Sequence, residues 1–135
     1  MKKFFVYIVV CILVMNSICI AQSGFKNITP EELRKMIDEN GGLVLIDVHI
    51  PEQKHLEATD DFIPYNEIKE NKDRLPQDKE RKIVLYCRSG SMSDVAAGEL
   101  VEMGYTDVYN LVGGIVAWKK AGFSVDGPDQ IKMKD

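Results

Sequence analysis

The sequence predicts an α/β fold in which helices pack against a mostly parallel sheet. Two uninterrupted apolar runs of strand length, Leu43–Ile46 and Ile83–Tyr86, are typical of strands that are buried on both faces. Segments with helical periodicity alternate with these runs, and glycines mark their ends. This alternation favours a parallel sheet, because each parallel connection has to cross one face of the sheet.

Length and composition indicate one ordinary globular domain. The chain has 135 residues, of which 45% are hydrophobic and 28% are charged, and this balance excludes disordered and fibrous classes. The net charge of -4 argues against nucleic acid as a partner, since non-specific binding to it needs a basic surface. Three cysteines cannot form a disulfide framework, so we expect an apolar core to hold the fold.

Residues 1–21 have the pattern of a secretory signal peptide. A cationic start, Met1–Lys3, precedes the apolar run Phe4–Met15, which is short for a bilayer span, and the small residue Ala21 follows. Cleavage after Ala21 would leave Cys87 as the only cysteine. We therefore expect an exported protein, periplasmic or secreted, that contacts a membrane only if this segment stays uncleaved.

The first elements after this segment have clear local signals. Phe25–Ile28 has the alternating pattern of a short edge strand. Thr29–Glu32 is a capping box with Pro30 at the first helical position, and it predicts a helix that stops at Asn40–Gly42. The buried strand Leu43–Ile46 follows.

Residues 49–81 are polar and interrupted by prolines, and they carry weaker signals. We expect a short strand near Phe62–Ile63, a helical turn with a solvated face over Glu67–Asp73, and His55 at the surface.

The last third of the chain returns to the alternating pattern. A helix is predicted over Met92–Met103 with Val95 on its buried face, followed by a third core strand at Val108–Tyr109. Gly113–Gly114 then turns the chain into a short helix, Ile115–Lys120, whose Trp118 is expected in the core. Residues 126–135 are expected to be a frayed polar tail.

Cys87 is the candidate nucleophile, because it lies at the carboxyl end of a predicted central strand and just before a helix. Ligands of open parallel sheets bind at those ends. The loop that follows can turn its amides inward as an anion-binding nest, to which the helix N-terminus and Arg88 add positive charge. These features favour a reactive thiolate over the alternative, a buried inert cysteine. The loop consists of Cys87, Arg88, Ser89, Gly90, Ser91, Met92 and Ser93.

Three motifs resemble the rhodanese-like (sulfurtransferase) family. Cys87–Ser93 resembles its active-site loop, Leu45–Val48 its early strand, and Gly104–Trp118 its last strand and the following glycine-rich helix. The resemblance runs from about Ile28 to Val125. It implies the rhodanese-like three-layer sandwich, with a mostly parallel five-stranded central sheet, over residues 22–125.

The resemblance implies a sulfur relay at Cys87. Its thiolate would take a sulfane sulfur from a small anion such as thiosulfate, and a thiol or a protein acceptor would remove it. No metal and no cofactor is implied, and we expect a monomer. The alternative is a non-catalytic or carrier domain that docks a protein partner.

Three positions qualify this interpretation. Met92 stands where many family members have a second loop arginine, which weakens thiosulfate binding and disfavours a phosphatase-like activity. His49 replaces the family's arginine after the early strand, and it could steer an anion or lie solvated in a loop. Asp47 could orient a pocket group or anchor the next turn.

Overall fold

Five parallel strands form one sheet in the order β1-β5-β4-β2-β3. The computed structural model describes residues 24–39 and 41–131. Three helices pack on this sheet, and the predicted α/β fold class with a five-stranded sheet is confirmed. The strands are β1 (Lys26–Ile28), β2 (Val44–Asp47), β3 (Asp61–Phe62), β4 (Ile83–Tyr86) and β5 (Val108–Leu111), and the helices are α1 (Pro30–Asp38), α2 (Ser91–Glu102) and α3 (Gly114–Lys120).

The predicted signal peptide lies outside the described residues, so it stays a prediction. Within the part of the chain that the structure describes, none of the helices has the length and apolar character that a membrane span requires.

Helix α1 begins as its sequence predicts. The Glu32 N–H donates to Thr29 Oγ1 at 3.2 Å, and the Thr29 N–H donates to Glu32 Oε2 at 2.7 Å. This capping box satisfies two amides that the first helical turn leaves without partners. Pro30 occupies the first helical position.

The alternation along β4 assigns its side chains to two cores. Ile83, Leu85 and Cys87 belong to the apolar cluster that includes Ala96 and Leu100 of α2. Val84 and Tyr86 belong to a second cluster, which includes residues of α1 and α3. Trp118 lies in this cluster and is 3% exposed, as its predicted core position requires. Because side chains alternate across a strand, Cys87 points to the α2 side of the sheet.

Two helical expectations need correction. Helix α2 begins at Ser91, so Ser91–Ser93 form its first turn rather than the end of a loop. Val95 is 57% exposed instead of buried, because Ala96 and Ala97 face the sheet. The helical turn expected over residues 67–73 is confirmed: the Asn71 N–H donates to the Glu67 carbonyl at 3.1 Å, and a short 3-10 helix, Lys72–Arg74, follows.

The C-terminal segment is attached to the domain as far as the structure describes it. The Gly127 N–H donates to the His55 carbonyl, and the His55 N–H donates to the Pro128 carbonyl, both at 3.0 Å. The Ile131 N–H donates to Glu52 Oε1, also at 3.0 Å. The expectation of a frayed tail is therefore wrong for residues 127–131.

Candidate active site

The sulfur of Cys87 lies at the carboxyl end of β4, against the N-terminus of α2. Cys87 is 1% exposed, and the Gly90 N–H donates to Sγ at 3.0 Å. Gly90 has a φ of 103°, and this left-handed conformation lets the loop turn back over the sulfur. The amide and the helix N-terminus both favour negative charge on Sγ.

The N-terminus of α3 clamps the backbone of this loop. The Ile115 N–H donates to the Cys87 carbonyl at 3.0 Å, and the Val116 N–H donates to the Arg88 carbonyl at 3.1 Å. Gly114 permits this approach, since a Cβ atom on it would lie 2.3 Å from the Cys87 oxygen. The paired glycines before α3 are therefore part of the site's construction.

A buried polar network continues from Cys87 into the neighbouring strand. Ser93 Oγ lies 3.4 Å from Sγ and 2.6 Å from Asn110 Oδ1. Asn110 Nδ2 donates to Asn27 Oδ1 at 3.1 Å. Sequence reasoning named Ser93 but missed Asn110, whose only signal was an amide side chain within an otherwise apolar strand.

His49 and Arg88 line one cleft of about 520 Å³ beside the loop. Lys54, Lys119 and the carboxylate of Glu52 line the same cleft, so positive side chains outnumber negative ones in its walls. His49 Nδ1 is buried and has no hydrogen-bond partner among residues 24–39 and 41–131. The structure thus brings together the loop cation Arg88 and His49, for which sequence analysis left open whether it steers an anion or lies solvated in a loop.

The other loop residues are placed differently. Arg88, Ser89 and Ser91 are exposed to solvent. Met92 is half-buried and packs against the apolar cluster between α2 and the sheet. Its thioether therefore belongs in part to the core.

Asp47 anchors the segment after β2 and is fully buried. Its Oδ1 accepts from the His49 N–H at 3.0 Å, and its Oδ2 lies 2.8 Å from His55 Nδ1. Burial raises the pKa of Asp47, and the hydrogen bonds from His49 and His55 partly oppose that shift. These contacts agree with the alternative that Asp47 anchors the turn after β2.

The surface position expected for His55 is wrong, because its side chain is fully buried. His55 Nδ1 faces Asp47 Oδ2, and Nε2 lies 2.8 Å from Glu52 Oε1. A carboxylate at each ring nitrogen compensates the loss of water on burial.

Comparisons with known proteins agree with this architecture. The model of the rhodanese-like domain family matches residues 29–121. A protein named sulfurtransferase from Allochromatium vinosum is 32% identical over 104 residues, covering 76% of this chain and 95% of that protein. The probable adenylyltransferase/sulfurtransferase MoeZ of Mycobacterium tuberculosis is 41% identical over 97 residues, or 69% of this chain.

The chain spans only 24% of the length of MoeZ. Among solved structures, a rhodanese-like domain protein from Staphylococcus aureus has a TM-score of 0.60 at 25% identity. That match covers 76% of this chain and all of the other. Motifs, fold and relatives agree, and the chain belongs to the rhodanese-like domain family.

Proposed function

We propose that this protein is a sulfurtransferase that carries sulfane sulfur as a persulfide on Cys87. One observation carries the proposal: the sulfur at the end of β4 accepts the Gly90 N–H at the N-terminus of α2. That environment suits a thiolate before the reaction and a persulfide anion after it. The names of the relatives support the same class of activity.

Thiosulfate or a similar small anion is the proposed donor. The Cys87 thiolate attacks the outer sulfur of thiosulfate, and the sulfur–sulfur bond of the donor breaks. Sulfite leaves with the electron pair, so the cysteine gains one sulfur and keeps one negative charge. A thiophilic acceptor such as cyanide or a thiolate then attacks the outer sulfur, and the Cys87 thiolate is restored.

The mass of the peptide that contains Cys87 tests this reaction. After incubation with thiosulfate it should rise by about 32 Da, the mass of one sulfur atom, and cyanide should reverse the gain. Cys87→Ser should keep the fold and lose both the gain and the turnover, because the hydroxyl is a far weaker nucleophile. Retained turnover in a folded Cys87→Ser protein would contradict the proposal.

A carrier domain that receives persulfide sulfur from a protein donor is the second candidate. The half-buried Met92, in place of a loop arginine, favours it. If the small anion is the donor, Met92→Arg should lower the Michaelis constant for thiosulfate severalfold at low salt, since exposed charge pairs contribute about 0.2–1 kcal/mol. This reduction in the Michaelis constant should become smaller as salt is added, because salt screens the charge pair.

Met92→Gln, which adds polarity without charge, is the control and should leave the salt dependence unchanged. The carrier candidate instead requires that thiosulfate label neither protein and that a protein persulfide label the wild type.

We also propose that the protein is exported, and residues 1–21 alone support this. The intact mass of the protein from the periplasm or the medium should correspond to a chain that starts after Ala21. Recovery of the uncut chain in the cytoplasmic fraction would contradict export.

A further inference from the structure

The Ser93 hydroxyl has one proton and three acceptors within reach. Asn110 Oδ1 lies at 2.6 Å, the Gly90 carbonyl oxygen at 3.2 Å and Cys87 Sγ at 3.4 Å. The shortest contact takes the proton, because an amide oxygen can only accept. The Ser93 oxygen then presents a lone pair to the sulfur and can accept the thiol S–H.

The Asn110 amide is hydrogen-bonded at both ends. Its Nδ2 donates to Asn27 Oδ1 at 3.1 Å, and its Oδ1 faces Ser93 Oγ at 2.6 Å. Asn110 is 4% exposed and Ser93 is fully buried, which leaves little room for water to substitute. The pairing of β5 with β4 places Asn110 opposite Leu85, on the face of the sheet to which Cys87 points.

We propose that Asn110 is a positioning residue that sets, through Ser93, how readily Cys87 becomes a thiolate. The proposal rests on the proposed role of Cys87 as the nucleophile. When the thiol loses its proton to water, the Ser93 O–H turns from Asn110 Oδ1 to Sγ and stabilises the new charge. The Ser93 proton changes acceptor without leaving its oxygen, so Asn110 and the sulfur compete for one hydrogen bond.

Other charged groups near the loop also act on the Cys87 sulfur, and they are the same in the wild type and in each variant. Arg88 lies on the loop itself and Asp94 in the first turn of α2. Asp47 is the last residue of β2, His49 lies two residues beyond it, and Lys119 lies on α3. The variants below change none of these groups.

A double-mutant cycle tests the proposal, with alkylation of Cys87 by iodoacetamide followed as a function of pH on the peptide that contains it. Ser93→Ala should slow alkylation by about tenfold on the acidic side of the profile, because the thiolate loses a charge-assisted hydrogen bond. Asn110→Leu keeps the side-chain size and removes the acceptor, so it should speed alkylation severalfold. The double variant should match Ser93→Ala alone, since Asn110 acts only through Ser93.

Asn71→Leu is the matched control, because the amide of Asn71 donates to the Glu67 carbonyl outside this network. It should leave the profile unchanged. Asn110→Ala repeats the test if the leucine variant does not fold. Ser93→Thr keeps the hydroxyl group and should therefore keep the wild-type profile of alkylation against pH. Slower alkylation in folded Asn110→Leu, or independent effects of the two substitutions, would overturn the proposal.

Alkylation needs no sulfur donor, so the two proposals fail separately. If the cycle behaves as expected while thiosulfate leaves Cys87 unlabelled, the proposed transfer from thiosulfate is wrong and the positioning role stands. If Cys87 is labelled while Asn110→Leu leaves alkylation unchanged, the activity stands and the positioning role is wrong.

Discussion

Gly114 controls how closely α3 approaches the Cys87 loop. It has a φ of 55°, and a Cβ atom on it would meet the Cys87 oxygen at 2.3 Å and the Arg88 carbonyl carbon at 2.6 Å. These are backbone atoms, so the clash cannot be relieved by rotating a side chain. A methyl group here has to push α3 away from the loop.

Gly114→Ala should therefore lower both the free energy of unfolding and the rate of persulfide formation. The loss of stability should exceed the roughly 1 kcal/mol of a left-handed backbone alone, because the clash adds to it. Gly98→Ala is the matched control: Gly98 lies inside α2 and a Cβ atom on it meets nothing within 4 Å. It should be neutral or stabilising by about 0.5–1 kcal/mol. Urea unfolding gives the free energy of unfolding of both variants. Equal values for the two would contradict the clash.

Among the elements, the segment after β2 contains a largely buried chain of titratable groups beside its buried apolar residues Val48 and Leu56. Asp47, His55 and Glu52 follow one another at 2.8 Å contacts. The pKa of Asp47 is raised from 3.8 by burial. Between 3.8 and that raised pKa the folded state binds more protons than the unfolded state, so the contribution of Asp47 to stability falls as pH rises.

Asp47→Asn should remove this part of the pH dependence. The free energy of unfolding of the variant, minus that of the wild type, should rise with pH between 3.8 and the raised pKa of Asp47. Above that pKa the difference should level off. Urea unfolding between about pH 4 and pH 7 measures the difference. Asp73→Asn, at an exposed position, should keep the wild-type pH dependence. A difference for Asp47→Asn that does not vary with pH would contradict the raised pKa.

Sequence reasoning succeeded for elements whose signals are local. The capping box at Thr29 and the apolar runs of β2 and β4 specify their structures within a few residues. The position of Cys87 between a central strand and a helix could be predicted because a strand end and a glycine and serine loop are both visible in the sequence. Asn110 and His55 could not, because their burial depends on partners on other elements, such as Ser93 for Asn110.

At the scale of the whole molecule, the end of the described chain holds a segment that leads to the candidate site. The amides of Gly127 and Ile131 bond to His55 and Glu52, which are more than 70 residues earlier in the chain. His55 in turn contacts Asp47, and Asp47 accepts the N–H of His49, a residue that lines the cleft beside Arg88. The C-terminal segment is thus linked to one wall of the cleft.

Deleting residues 127–135 should weaken the fold and this wall together. Three hydrogen bonds are lost and the pair His55 and Glu52 is opened to water, so the free energy of unfolding should fall by about 2 kcal/mol or more. Because the Cys87 loop is clamped by α3 and not by this segment, the Michaelis constant for thiosulfate should rise more than the turnover number falls.

Deleting only residues 132–135 removes none of these hydrogen bonds and serves as the control. Hydrogen exchange at the His55 amide should accelerate in the longer deletion alone, since Pro128 supplies its acceptor. Gly127→Ala tests the same contact without truncation, because a Cβ atom there would lie 2.3 Å from the His55 carbonyl oxygen. If the longer deletion leaves His55 exchange and the Michaelis constant unchanged, the segment does not support the cleft.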